Sequence, residues 1–103
     1  MRIVFQGDSI TDGDRRKNSL YDLGPGYPHF AADAICRRFP KTQFEFFNRG
    51  VSGDRIELLD RRWQKDAIDL QPDILSILIG INDTWQYAET RQWETAEHYE
   101  NCY

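Results

Sequence analysis

Short apolar runs alternate along the chain with longer amphipathic stretches. The runs "RIVFQ" (2–6) and "DILSILIGI" (73–81) predict strands. The second run is apolar at nearly every position, so we expect both of its faces to be covered. The aromatic, partly alternating run "QFEFFN" (43–48) predicts a third strand nearer an edge of the sheet.

The stretches between these strands have helical spacing. Residues 27–39 predict a helix, because Pro28 is tolerated in a first turn and Pro40 prevents continuation. A second helix is predicted before Pro72, with Asp54 as its N-cap. Its apolar stripe consists of Ile56, Leu59, Trp63, Ala67 and Leu70, and the charged residues outside the stripe are Arg55, Glu57, Arg61, Arg62 and Lys65.

The remaining segments complete an alternating order of strands and helices. The stretch from Gly7 to about residue 26 is rich in Gly, Asp, Asn, Ser and Pro, which predicts a loop. A polar segment follows the strand at 73–81, and the final stretch "WETAEHYENCY" (93–103) is typical of a helix. This order predicts an α/β fold with a parallel sheet and helices on both faces.

Each predicted strand ends in a turn that carries specific polar groups. These turns are Gly7-Asp8-Ser9, Asn48-Arg49-Gly50 and Gly80-Ile81-Asn82-Asp83. Turns that follow parallel strands open on one edge of the sheet, where ligands bind. Acyl transfer needs a hydroxyl nucleophile, which Ser9 supplies, and N–H donors for the oxyanion, which Ser9, Gly50 and Asn82 supply. Each residue alone is more often a cap or turn residue, but their recurrence after three successive strands favours a site.

Three motifs, in order, resemble the N-terminal half of the SGNH hydrolases, also called the GDSL esterase/lipase family. They are "GDSIT" (7–11), "NRGVSGD" (48–54) and "GINDT" (80–84). The resemblance implies that Ser9 is the nucleophile and that Gly50 and Asn82 are oxyanion donors. It also implies a flavodoxin-like three-layer α/β/α fold with strand order 2-1-3-4-5.

The chain departs from the family in one respect. The family carries its catalytic base and orienting acid in a C-terminal D-x-x-H motif, and residues 83–103 contain none. His98 is expected at the surface of the tail helix, and His29 lies in the first predicted helix. Without a base, a serine hydroxyl is a weak nucleophile at neutral pH. We therefore expect residues 1–103 to form one incomplete domain, truncated after the third strand and the following helix.

The resemblance implies serine-dependent hydrolysis of carboxylic esters with short acyl or acetyl groups. Carbohydrate is one of the alcohols to which these groups are expected to be attached. It implies no metal and no organic cofactor. Asp8 and Asp12 are expected to brace the first turn, and the residues expected to contact the substrate are Asp8, Tyr21, Asp83 and Trp85. Two alternatives stay open: a catalytically inactive fragment or degenerate paralogue, and a flavodoxin-like module that binds an anion at the first turn. That turn lacks the Gly-rich or Ser/Thr-rich cradle that the second alternative would need.

Composition and charge limit the expected partners of the protein and its expected location in the cell. The net charge of −4 disfavours nucleic-acid binding, and the short cluster Arg15-Arg16-Lys17 is interpreted as a solvated turn. No run approaches the ~20 apolar residues of a membrane span. The run after Met1 is too short for a signal peptide, so a cytoplasmic protein is expected.

The third strand raises the question of oligomers. In the implied order it has the first strand on one side and a fourth strand, absent from the sequence, on the other. Exposed strand edges pair readily with other chains. We expect either further residues of a longer natural protein or a second copy of this chain to cover the edge, so a homo-oligomer is one predicted outcome.

Overall fold

The computed structural model describes residues 1–91 and 95–103. Three strands, β1 (Arg2–Gly7), β2 (Glu45–Asn48) and β3 (Ile74–Leu78), form a parallel sheet in the order β2-β1-β3. The predicted α/β class is confirmed, and the strand order matches the first three positions of the implied topology.

Six helices accompany the sheet in the described residues. They are α1 (Ser9–Asp12), α2 (Tyr27–Arg38), α3 (Ile56–Arg61), α4 (Trp63–Asp66), α5 (Ile81–Thr90) and α6 (Ala96–Cys102), with a 3-10 turn over Ile68–Leu70. The helix predicted at 27–39 is confirmed as α2. The predicted tail helix is α6, and its first two predicted residues, Trp93 and Glu94, lie outside the described residues. Within the described residues, no helix has both the length and the apolar character needed to cross a membrane.

The sheet has helices on both faces. On one face Phe5 packs edge-on against Tyr27 of α2, with ring centroids 5.9 Å apart. On the other face, the Gln6 side chain accepts a hydrogen bond from Arg62, which lies between α3 and α4. This arrangement gives the three layers α/β/α. The buried apolar core consists of Ile3, Val4, Phe5, Ala32, Phe47, Ile56, Leu59 and Ala67.

The helix predicted after residue 54 differs from the prediction in two ways. It is interrupted at Arg62 and again at Ala67, where the backbone leaves the helical region (φ −132°, ψ −66°). Asp54 is not its N-cap: the backbone N–H of Ile56 donates instead to the Asp83 carboxylate at 3.1 Å. The apolar periodicity predicted which face is buried but not these interruptions, the first of which lies at Arg62, a residue that bonds to other segments.

The prediction that both faces of the third strand are covered is wrong for the described residues. Ile74 and Leu78 at the two ends of β3 are 49% and 46% exposed. Within the described sheet β3 is an edge strand paired with β1. The polar segment that follows it is the helix α5, which the sequence analysis did not predict.

Candidate active site

Ser9 is the first residue of α1, two positions beyond the end of β1. The buried Asp8 caps this one-turn helix, because its Oδ1 accepts a hydrogen bond from the Ile10 N–H at 3.0 Å. Ser9 itself is exposed. A serine in such a turn is ordinarily a helix cap, but here the cap is Asp8. The Ser9 hydroxyl lies in the exposed part of the turn.

The turn after β2 runs beside the end of β1. The N–H of Arg49 donates to the carbonyl of Phe5 at 2.8 Å, and that of Val51 donates to the carbonyl of Gly7 at 3.0 Å. These bonds extend the parallel pairing past the end of β2. They place the turn 50–53 beside the residues that precede Ser9.

Gly50 packs inside this turn. A Cβ there would overlap the backbone N of Asp12 and would lie 2.8 Å from the Thr11 Cβ. The Gly50 N–H donates to Oδ1 of Asn48 at 2.9 Å. The absent side chain therefore permits close packing of the turn against α1, and the N–H already has an acceptor. The assignment of Gly50 as an oxyanion donor stays a prediction, and this contact does not favour it.

Gly53, three residues later, has the opposite character. It is exposed, its φ is +87°, and no atom lies within 4 Å of the position that a Cβ would occupy. We find no hydrogen bond from its N–H to any residue in 1–91 or 95–103. Gly53 was not among the predicted site residues, although "NRGVSGD" contains two glycines and the second lies in an open turn.

Asn82 reaches the same turn from β3. It is the second residue of α5, which begins directly after Gly80 (φ +130°). Its Nδ2 donates to the backbone carbonyl of Asp54 at 3.0 Å. A side-chain amide has two N–H donors, so a second donor remains available for a ligand. Since β1 and β3 are parallel and pair Gly7 with Leu78, Ser9 and Asn82 follow the same end of the sheet.

The predicted substrate contacts have varied surroundings. Asp83 accepts the Ile56 N–H and thereby links the third motif to the start of α3. The exposed Trp85 donates through Nε1 to Glu89 at 3.0 Å. The ring of Tyr21, also exposed, lies 5.6 Å from that of Phe47. No ligand contact tests the substrate roles of Asp8, Tyr21, Asp83 and Trp85, so these stay predictions.

A buried carboxylate, Asp12, joins the first and second motifs. Its Oδ2 accepts from Ser52 Oγ at 2.7 Å and from Lys17 Nζ at 3.0 Å, and Arg15 Nε lies 3.6 Å from Oδ1. Burial alone would raise the pKa of Asp12, but the two hydrogen bonds and the two cations outweigh it and lower the pKa below its usual value. The interpretation of the basic cluster as a solvated turn is wrong for Arg15, which is buried and donates to the Gly50 carbonyl at 2.9 Å.

The histidines lie on two helices. His29 is exposed on α2, with its ring against that of Phe30. His98 belongs to α6 and is only partly exposed, with its Nε2 3.7 Å from Cys102 Sγ.

Comparisons with known proteins identify the family of this chain. A family model described as the GDSL-like lipase/acylhydrolase family matches residues 5–103. An acetylxylan esterase of Geobacillus stearothermophilus is 37% identical over 89 residues, which cover 82% of this chain and 41% of the esterase.

Solved structures extend the comparison to nearly the whole chain. A protein of Parabacteroides merdae described as GDSL-like lipase superimposes with a TM-score of 0.89 at 42% identity, covering 98% of this chain and 49% of that one. The acetylxylan esterase Axe2 of Geobacillus stearothermophilus gives a TM-score of 0.87 at 31% identity, covering 98% of this chain and 50% of Axe2. This chain spans about half the length of these relatives. Two further Axe2 structures, one with an aspartate and one with a histidine replaced by alanine, are described as catalytic mutants.

Proposed function

Because this chain belongs to the GDSL-like lipase/acylhydrolase family, we propose that it contributes to the hydrolysis of carboxylic esters with Ser9 as the nucleophile. The observation that carries the proposal is the exposed Ser9 at the start of α1, at the sheet edge that also bears Asn82 and the turn 50–53. A nucleophile and separate hydrogen-bond donors from different strands are what acyl transfer requires.

In the proposed reaction, Ser9 Oγ attacks the acyl carbon and the carbonyl oxygen becomes an oxyanion. Collapse of this intermediate breaks the bond to the alcohol oxygen, and the alcohol leaves with the proton that Ser9 gave up. Water then hydrolyses the acyl-serine to the carboxylic acid and restores the Ser9 hydroxyl. The Ser9 N–H and the second Asn82 amide N–H stabilise the oxyanion, together with one backbone N–H of the turn 50–53. We expect the donors to converge about 3 Å from the oxyanion, although unliganded distances are often longer.

The backbone donor of this turn is better supplied by Gly53 than by Gly50. The Gly50 N–H would have to release Asn48 Oδ1 before it could bind an oxyanion. Gly53 is exposed and has open space where a side chain would stand, so a substrate could approach its backbone closely.

The proposed substrate is a short acyl ester, with acetylated carbohydrate as the favoured class. The support is the 37% identity to an acetylxylan esterase, whose own name specifies an acetylated polysaccharide.

The second candidate is a chain that has the fold and the donors but no turnover of its own. It is favoured by the absence of D-x-x-H from the sequence and by the placement of His29 and His98 on α2 and α6. Removing the base of a serine hydrolase leaves only the rate supplied by the oxyanion donors and binding.

Two assays on the 103-residue chain, each with Ser9→Ala as control, separate these candidates. We expect a fluorophosphonate probe to label Ser9 slowly and to leave the Ser9→Ala variant unlabelled. We expect hydrolysis of a short-chain chromogenic ester barely above that of the variant. Absence of Ser9 labelling would count against the nucleophile, and a Ser9-dependent rate of about 1–10³ s⁻¹ would mean that the chain supplies a base.

A further inference from the structure

Arg62 lies between α3 and α4 with its side chain only 17% exposed. Its guanidinium donates to five acceptors on several segments. They are Asp54 Oδ2 (2.7 Å), the Arg49 carbonyl (2.7 Å), Gln6 Oε1 (3.0 Å), Asp66 Oδ2 (3.0 Å) and the Gly7 carbonyl (3.2 Å). In the sequence Arg62 lies outside the apolar stripe, among the charged residues, and no pattern there predicts a role for it.

Three of these acceptors belong to the segments that form the candidate site. Gly7 lies two residues before Ser9, at the end of β1. Arg49 opens the turn after β2, and Asp54 closes it directly after Gly53. Arg62 therefore connects the first and second motifs through one rigid, planar group.

The third motif is connected through Asp54. While the Asp54 carboxylate holds Arg62 Nε at 2.7 Å, its backbone carbonyl accepts the Asn82 side-chain amide at 3.0 Å. The orientation of Asp54 thus determines where the Asn82 amide points. The Asp54 side chain is 9% exposed, so water has little access to replace Arg62 as its partner.

We propose that Arg62 is a positioning residue of the site: it holds Asp54 and the carbonyls of Gly7 and Arg49 so that the Asn82 amide and the turn 50–53 face Ser9. The inference rests on the proposed function. Arg62 is not assigned as a catalytic residue, because all three nitrogens of its guanidinium donate to acceptors of the protein.

Arg49 provides a matched control. It is also largely buried, and its Nη2 binds the other oxygen of Asp66 at 2.9 Å. Its side chain thus shares the Asp66 contact of Arg62. Arg49→Lys and Arg62→Lys both keep the positive charge and lose the guanidinium fork, but only the second removes the fork from Asp54 and Gly7.

The test is nuclear magnetic resonance on the 103-residue chain. The readout is the scalar coupling between Asn82 Nδ2 and the Asp54 carbonyl carbon, which is transmitted through their hydrogen bond. We expect the coupling in the unmodified chain and in Arg49→Lys, and its loss in Arg62→Lys. Backbone amide shifts of β1 and β3 should stay unchanged in both variants. A coupling retained in Arg62→Lys, or lost equally in Arg49→Lys, would overturn the proposal.

Asp54→Asn tests the route, because it removes the carboxylate and keeps the backbone carbonyl. If Arg62 acts through Asp54, this variant alone should weaken the coupling, and adding Arg62→Lys should weaken it little further. Equal and independent effects of the two substitutions would contradict the route.

Fluorophosphonate labelling of Ser9 separates this inference from the proposed function. We expect labelling of Arg62→Lys to be about tenfold slower than that of Arg49→Lys, because a misplaced oxyanion donor typically costs at least that much. Equal rates would overturn the positioning role. Failure of the unmodified chain to react would instead count against Ser9 as nucleophile, and the resonance measurement would still decide the role of Arg62.

Discussion

The two glycines of the second motif show what a sequence can and cannot specify about single residues. The position of Ser9 was predictable, because a buried run followed directly by Gly-Asp-Ser places the serine at the end of a strand. The choice between Gly50 and Gly53 was not, because it depends on which N–H already has an acceptor. That acceptor is a side chain, Asn48 Oδ1, whose orientation is fixed by its Nδ2 bond to the Thr11 carbonyl at 2.6 Å.

The two glycines should respond differently to alanine. Gly50→Ala places a Cβ against the backbone of Thr11 and Asp12, which cannot rotate away. We expect it to lower the free energy of unfolding by about 1–3 kcal/mol or more. Gly53→Ala meets open space and should cost only the strain of its positive φ, roughly 1 kcal/mol. Urea denaturation of both variants checks the order, and a larger loss for Gly53→Ala would contradict it.

The ionised carboxylate of Asp66 should contribute to stability in a pH-dependent way. Burial raises the pKa of Asp66, but the hydrogen bonds and charges of Arg49 and Arg62 outweigh burial and lower it below 3.8. A lowered pKa in the folded state gives stability that is fully present above the unfolded pKa. That stability is lost as the pH falls through the folded pKa.

We therefore expect Asp66→Asn to lower the free energy of unfolding most at pH 7, with the difference from the unmodified chain shrinking below about pH 4. Denaturant unfolding between pH 7 and pH 2 measures this difference. Asp33→Asn, which breaks an exposed ion pair with Arg37, is the control and should change stability little at any pH. A difference for Asp66→Asn that stays constant down to pH 2 would contradict the expectation.

At the level of elements, an apolar run predicted β1, Pro28 and Pro40 set the bounds of α2, and apolar periodicity predicted the buried side of the α3–α4 segment. It did not predict the breaks at Arg62 and Ala67 or the helix α5. The regular helix is interrupted at Arg62, and the Arg62 guanidinium donates to acceptors on distant segments, the carbonyls of Gly7 and Arg49. Such contacts join residues more than ten positions apart and leave no local signal in the sequence.

The start of α3 depends on a residue from the third motif. Asp83 accepts the Ile56 N–H, as an N-cap side chain would, although it lies 27 positions away in the chain. We expect Asp83→Ala to lower the free energy of unfolding by about 0.5–2 kcal/mol, the usual cost of a lost cap. Amide exchange of Ile56 should accelerate as well.

Asp60→Ala is the control for this substitution, because Asp60 is exposed near the end of the same helix. Urea denaturation and hydrogen exchange on both variants provide the measurement. If Asp60→Ala destabilises the chain as much as Asp83→Ala, the capping role of Asp83 is wrong.

At the scale of the whole molecule, the burial of the sheet differs from the prediction at its β3 edge. The α/β class and the strand order followed from the alternation of elements and from the resemblance. The predicted burial of both faces of β3 was wrong, because an apolar strand typical of a sheet interior needs a neighbouring strand on each side. In the described residues β3 has β1 on one side, and the relatives that superimpose on the chain are about twice its length.

The outer edge of β3 carries alternating backbone donors and acceptors. The Phe5 and Gly7 carbonyls accept from the segment after β2, so by alternation Val4 and Gln6 direct their backbone groups toward β3. In the ladder Val4 pairs with Leu75 and Gln6 with Ile77, so the backbone groups of Leu75 and Ile77 point away from β1. Two such edges are complementary across a two-fold axis at Ser76, which would set Leu75 of one copy opposite Ile77 of the other. We propose that the 103-residue chain self-associates in this way.

Light scattering over a range of concentrations should then show a dimer, and the amides of Leu75 and Ile77 should exchange more slowly as concentration rises. Ile74→Lys, at a residue 49% exposed on this edge, should give a monomer, because a charge on an edge strand opposes pairing. Ile68→Lys, at a residue 52% exposed in the 3-10 turn, should dimerise like the unmodified chain. A cooperatively folded monomer whose two outward amides exchange freely at every concentration would show that this edge needs no partner. Equal association of the two lysine variants would instead place the contact elsewhere on the surface.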